Sequence, residues 1–123
     1  MKIYVVHSRE FDFKKELYDP IKQSSFYGHH EIILPHDGTD AAFKSKDLFR
    51  KGCDLVIAEV SYPSTGLGIE LGWAEMFRIP IVALYKKDSK VSGSITTITN
   101  NIFEYGNAAE LLMRIEGAIN ELK

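Results

Sequence analysis

The sequence predicts an α/β fold, a doubly wound five-stranded parallel sheet in the order 2-1-3-4-5 with helices on both faces. Three observations carry this. Four short runs rich in β-branched residues punctuate the chain: "IYVV" (3–6), "EIIL" (31–34), "CDLVIAEV" (53–60) and "IPIVALY" (79–85). These runs are nearly continuous in apolar residues, as in strands covered on both faces of a parallel sheet. Stretches with helical spacing alternate with them, and such alternation demands right-handed crossovers.

Taken in order, the first strand (3–6) leads to a helix over about 11–24, where Phe13, Leu17 and Ile21 recur every four residues. The second strand (31–34) is followed by a helix over about 41–52 that carries Phe43, Leu48 and Phe49 and stops at Gly52. After the third strand (53–60) a helix over about 67–78 sets Ile69, Trp73, Met76 and Phe77 on one stripe. The fourth strand (79–85) precedes a Ser-rich loop and then "IFEY" (102–105), a short edge strand. A last helix, about 107–122, buries Leu111, Leu112, Ile115, Ile119 and Leu122 behind an Asn107 cap. Five strands in this length suit the flavodoxin-like topology, whose ligands bind beyond the carboxyl ends of the strands near the β1/β3 switch point.

The 123 residues are read as one domain, 1–123, able to bury roughly two thirds of its unfolded surface. A net charge of −2 argues against a binder of phosphate backbones, which needs a basic face, so no nucleic-acid partner is expected, while a local site for a small phosphorylated ligand needs no basic domain. The single cysteine, Cys53, has no internal disulfide partner, and a cytoplasmic, reducing setting is the expectation. The N-terminal apolar run of four residues is too short for a signal peptide, and no stretch approaches the ~20 apolar residues of a membrane span. The four histidines (His7, His29, His30, His36) have no metal-like spacing and there is no cysteine pair, so neither a metal nor a cofactor is expected. His29 and His30 read as a solvated turn, and His7 and His36 fall at strand ends near the crevice. Asp54 opens the third strand at the opposite edge and reads as structural.

The topology directs attention to "HSRE" (7–10), "PHDG" (35–38), "SYPSTGLG" (61–68) and "KKDSKVSGS" (86–94). In the third of these loops, Ser64, Thr65, Gly66 and Gly68 offer hydroxyls and amides to an anion at a helix N-terminus, although Pro63 and Gly66 also make a plain turn. The loop is neither a Walker A nor a G-x-G-x-x-G motif. Glu70 is placed in the first turn of the following helix. A carboxylate there can serve the helix dipole, but a capping box needs Ser or Thr at 67, and Leu67 stands there. Tyr4 lies inside the first strand, where a core role competes with a hydroxyl reaching the crevice.

"DLVIAEVSYPSTGLGIELGWAE" (54–75) resembles the signature of the nucleoside 2-deoxyribosyltransferase family, most of all its 2'-deoxynucleoside 5'-phosphate N-hydrolase branch. The A-E-V, Pro-Ser and G-x-G-x-E-L-G elements match across Ala58 to Gly72. The spacing onward to Ser94 also fits, while "YVVHS" matches more loosely through Tyr4 and Ser8. The resemblance implies that Glu70 is a nucleophile attacking the anomeric carbon, with Tyr4 supporting it and Asp47 as the acid. It implies Ser64 as a phosphate ligand, Ser8 and Arg9 as substrate-binding residues, Gly66 and Gly68 in the binding loop, and Ser94 reaching the site across a homodimer interface. Three departures accompany it. His7 replaces a glycine, Arg9 is displaced by one position, and Asp47 is one residue too close to Asp54.

The expected function is therefore cleavage of the base–deoxyribose bond of deoxyribonucleosides or their 5'-monophosphates. Base transfer between sugars is the alternative within the same class. A nucleotide-binding sensor that has lost its chemistry is the alternative from another class, and an electron carrier would rest on fold alone.

Overall fold

The computed structural model describes residues 1–39 and 43–123. Its five strands are β1 (Lys2–His7), β2 (Glu31–Ile33), β3 (Leu55–Glu59), β4 (Ile81–Lys86) and β5 (Ile102–Tyr105). They form one sheet, ordered β2-β1-β3-β4-β5, with every neighbouring pair parallel. The registers Tyr4 with Val56 and His7 with Glu59 bring the carboxyl ends of β1 and β3 level at the switch point. The expected topology is thus the observed one.

The continuous apolarity of the strands has a direct structural reason. Ile3 and Val5 of β1 join one core with Leu17, Tyr18 and Ile21 and with Leu111, Ile115 and Ile119 of α4 (Ala108–Leu122). Tyr4 and Val6 face the other way, into a second core with Phe49 of α2 (Ser45–Lys51) and Leu67, Leu71 and Ala74 of α3 (Thr65–Met76). A strand buried on both sides has no polar face to alternate with.

Several expected boundaries shift. The first helical segment is a π-helical stretch, Lys14–Tyr18, continuing as α1 (Asp19–Lys22), shorter than 11–24. The second begins at Ser45, with Phe43 exposed just before it, and ends at Gly52, whose φ of 125° suits glycine. Residues 41 and 42 of the expected helix lie outside the described residues. Two readings are corrected. The stripe chosen for α3 is its outer face: Ile69 and Met76 are exposed, and the buried row is Leu67, Leu71 and Ala74. This helix is apolar on two sides, so periodicity could not choose between them. Leu122, expected in the core, is also exposed at the end of α4. The Asn107 cap is as expected, its side chain accepting from the Glu110 amide at 2.9 Å. Asp54 is structural too, accepting from the Lys2 amide at 2.7 Å.

Candidate active site

Ser64 is the N-cap of α3, and its Oγ accepts from the Leu67 amide at 3.3 Å. The helix therefore starts two residues earlier than the sequence suggested, and Glu70 stands in its second turn. Its first turn holds no acidic residue, which removes the helix-dipole explanation for Glu70. What Glu70 meets instead is Tyr4, whose hydroxyl donates to Glu70 Oε2 at 2.7 Å. The Tyr4 ring is wholly buried against Phe49, edge to face, so only its hydroxyl is directed to the site. Burial pushes the Tyr4 phenol well above its ordinary range, and the charge and hydrogen bond of Glu70 add to this. Tyr4 accordingly stays a donor, and it fixes one carboxylate oxygen while the rest of Glu70 borders a cavity. Both sequence readings of Tyr4, core residue and crevice residue, are correct.

Two adjoining cavities meet at Glu70. One, about 480 Å³, is walled by Phe43, Ile69 and Trp73 over a floor of Tyr4, Ser45 and Glu70. The other, about 270 Å³, is lined mainly by polar residues and lies at the start of α3 between Ser64 and Gly66 on one side and Ser8, Arg9 and Glu10 on the other. Arg9, His36, Gly66 and Glu70 line both. Within α3 the Leu67 amide is occupied by Ser64 Oγ and the Gly68 amide by Ser64 O, at 3.1 Å. The amides of Thr65 and Gly66 are the first-turn donors left to face a ligand. Gly68 thus belongs to the helix and not to the binding loop.

A directed set of hydrogen bonds holds the far wall. The Ser8 carbonyl accepts from His7 Nδ1 at 2.7 Å, so the proton of a neutral His7 sits on Nδ1 and Nε2 is the acceptor. The Tyr18 hydroxyl donates to that Nε2 at 2.6 Å and accepts from the His36 amide at 3.0 Å. Arg9 Nη2, which can only donate, reaches His36 Nδ1 at 3.0 Å. Burial lowers the His7 pKa to about 4, in keeping with the neutral ring that this arrangement requires.

Of the residues singled out by sequence, Tyr4, Ser8, Arg9, Ser64, Gly66 and Glu70 come together around the two cavities. Asp47 does not: it is exposed on α2, paired with Arg50 at 3.3 Å, and lines neither cavity. Ser94 is exposed on a 3₁₀ turn, Gly93–Thr97, and also lines neither. Tyr18, Phe43, Ser45 and Trp73 were not foreseen as site residues. Only the helix-start position of Ser45 was open to a sequence reading, and the others depend on long-range packing.

The arrangement is a carboxylate held by a tyrosine between a recess lined by Ser8, Arg9 and Ser64 and an apolar slot, on a doubly wound sheet. The same fold is found in a CMP N-glycosidase from Clostridium botulinum, which superposes over 94% of this chain and 99% of that one with a TM-score of 0.64, at 23% identity. No protein-family model matches the chain. In sequence, the chain is 49% identical over 47 residues to a protein of Syntrophotalea carbinolica provisionally named 2'-deoxynucleoside 5'-phosphate N-hydrolase 1, covering 37% of this chain and 33% of that protein. It is 38% identical over 52 residues to a 5-hydroxymethyl-dUMP N-hydrolase of Branchiostoma floridae, covering 42% of this chain and 50% of that one. The chain thus spans half or less of the length of these curated relatives. The resemblance to N-hydrolases read from residues 58–72 is borne out by the names of these relatives.

Proposed function

We propose that the protein is an N-glycosidase that hydrolyses the base–sugar bond of 2'-deoxynucleoside 5'-monophosphates, with Glu70 as the nucleophile. The observation that carries this reading is the position of Glu70 where the polar and apolar cavities meet. A nucleoside monophosphate has the same layout, with an anion at one end, an apolar base at the other and the anomeric carbon between. The phosphate is received by Arg9, Ser64 and the first amides of α3, with Ser8 beside them. The base lies against Phe43, Ile69 and Trp73. One Glu70 oxygen, free of Tyr4, attacks C1' as the bond to the base breaks through an oxocarbenium-like state, and water then releases the sugar from the glutamyl ester. The relatives named as N-hydrolases support hydrolysis over base transfer.

The test is base release from each 2'-deoxynucleoside and its 5'-monophosphate, followed by chromatography. Release from monophosphates, with weaker use of nucleosides, is expected. No release from any substrate by well-folded protein rejects the reading.

The functional unit is proposed to be a homodimer in the cytoplasm, each Ser94 completing its partner's pocket. The exposed stripe of Ile69 and Met76, beside the half-buried Trp73, is an apolar face adjoining the cavity and supports this assembly. Co-refolding inactive Glu70→Ala with inactive Ser94→Asp leaves one intact pocket in each mixed dimer. Recovery of about a quarter of the parent activity is expected from two-fold symmetry. No recovery despite demonstrated subunit exchange rejects the shared pocket.

A further inference from the structure

We infer that Tyr18, together with His7, is a positioning residue that sets Arg9 and His36 against the phosphate end of the pocket and so governs how strongly a monophosphate is preferred over a nucleoside. This rests on the reading above. His7 lines the smaller cavity and Tyr18 lines neither, and the hydrogen-bonding atoms of both are already engaged. His7 is 5% exposed and Tyr18 1%, and their polar atoms are consumed by one another and by the chain. Their importance lies in what they connect.

Tyr18 belongs to the π-helical stretch after β1, His7 ends β1, and His36 lies in the loop after β2. Three segments distant in sequence are therefore tied at one phenolic oxygen, which gives its proton to His7 and takes one from the His36 amide. His36 in turn receives Arg9 through Nδ1 at 3.0 Å, which ties the guanidinium to the loop that carries His36. His7 also fixes the Ser8 carbonyl, one residue before Arg9, and so anchors the same arginine from its own side. Among the described residues, those near His36 include Arg9, the His7 ring at 5.6 Å, the Phe13 ring at 6.0 Å and the Tyr18 hydroxyl, with Glu70 lining the same cavity.

His7 occupies a position where the resembled family has glycine, and Arg9 is one place from that family's arginine. The two departures compensate. A displaced arginine needs a new support, and the imidazole at position 7 with the phenol at position 18 provides it. Phe13 completes the arrangement by packing on the His7 ring at 4.5 Å.

The experiment is isothermal titration and steady-state kinetics with 2'-deoxyuridine and its 5'-monophosphate, on the parent and on Tyr18→Phe. Phenylalanine keeps the ring in the core but leaves His7 Nε2 and the His36 amide without their partner. The KM and Kd for the monophosphate should rise about tenfold, with kcat changed less than threefold and the nucleoside Kd unchanged, as for loss of one charge-assisted contact. A purely structural role would lower the melting temperature and leave the monophosphate-to-nucleoside ratio intact, and that result in folded Tyr18→Phe overturns the proposal. His7→Gln and His7→Leu provide a second route that keeps Tyr18 in place. Glutamine can accept from the Tyr18 hydroxyl and should retain more of the preference, whereas equal ratios in the two variants reject the link. The outcomes also separate this idea from the function itself. If the parent neither releases base nor prefers the monophosphate, the functional reading fails. If the parent shows the preference and folded Tyr18→Phe keeps it in full, only the positioning role fails.

Discussion

Two glutamates flank the loop between β3 and α3, and each receives a tyrosine hydroxyl, yet their surroundings differ in every other respect. Glu59, at the end of β3, is 1% exposed. Its carboxylate accepts from the Ser61 amide at 2.7 Å, from the Ser61 hydroxyl at 2.9 Å and from Tyr105, and Ser61 Oγ accepts from the Lys86 amide at 2.7 Å. The exits of β3, β4 and β5 are thereby joined around one buried carboxylate that accepts three hydrogen bonds. Glu70 has Tyr4 as its donor and keeps an edge toward a cavity. The comparison teaches that a buried carboxylate is structural when both of its oxygens accept from the surrounding chain, whereas a glutamate that has one oxygen held and borders a cavity is open to a ligand.

The strongest way to break this contrast is to truncate each glutamate. Glu70→Ala should reduce base release by ~10³-fold or more, with the fold retained. Glu59→Ala should leave chemistry in the folded fraction and lower unfolding stability by about 3 kcal/mol, because buried donors lose their acceptor. Urea unfolding beside the chromatographic assay reads both. If the two variants exchanged phenotypes, the assignment would be reversed.

pH sharpens the contrast through buried groups. Burial holds Glu59 above the ordinary carboxylate range, so the folded chain binds that proton more tightly than the unfolded one. Its contribution to stability falls as pH rises past 4.5. His7 acts in the opposite sense. With a folded pKa of about 4 against 6.5, the unfolded chain takes up the proton first, and stability falls as pH drops through 6.5 toward 4. At pH 5 the cost from His7 is about 2 kcal/mol, and His7→Gln should remove that part of the difference between unfolding measured at pH 7 and pH 5.

A smaller effect is expected at the tyrosines. Tyr4→Phe should lower kcat about tenfold, since one neutral donor to an ionised carboxylate is lost. Tyr105→Phe should leave kcat alone and reduce the melting temperature. Equal kcat losses in both would mean that the Glu59 region reaches the chemistry. The smallest change is Ser64→Ala, which removes the α3 cap for about 1 kcal/mol of stability and weakens the monophosphate more than the nucleoside by titration.

The sheet was legible because each strand is apolar on both faces and each crossover carries helical spacing, signals that reside in adjacent residues. The place of Glu70 at the ligand edge of the sheet was legible because the glycines and Pro-Ser pair before it mark a helix start there, while its role as nucleophile was read from the resemblance alone. That start was set two residues late, since Gly66 and Gly68 are poor helix formers and resemble loop, whereas Ser64 had the chemistry of a cap. Asp47 was the nearest candidate for the acid that the resemblance implies on the helix before β3, although one residue too close to Asp54, and its side chain turns to Arg50 on the exposed face of α2. The Tyr18 junction was invisible for another reason. Its partners are 11 and 18 residues away, and nothing in local pattern reports a hydrogen bond made across folded loops.

Trp73, in the wall of the larger cavity with Lys46 Nζ 5.8 Å from its ring centre, is the chain's single tryptophan. Indole emission excited at the red edge of the absorption band, where the six tyrosines are dark, therefore comes from this wall alone. A base bound as proposed would replace water around the indole with ring contact, and the emission should change in intensity and colour. On the proposed reading, this indole would report base occupancy without label and without turnover.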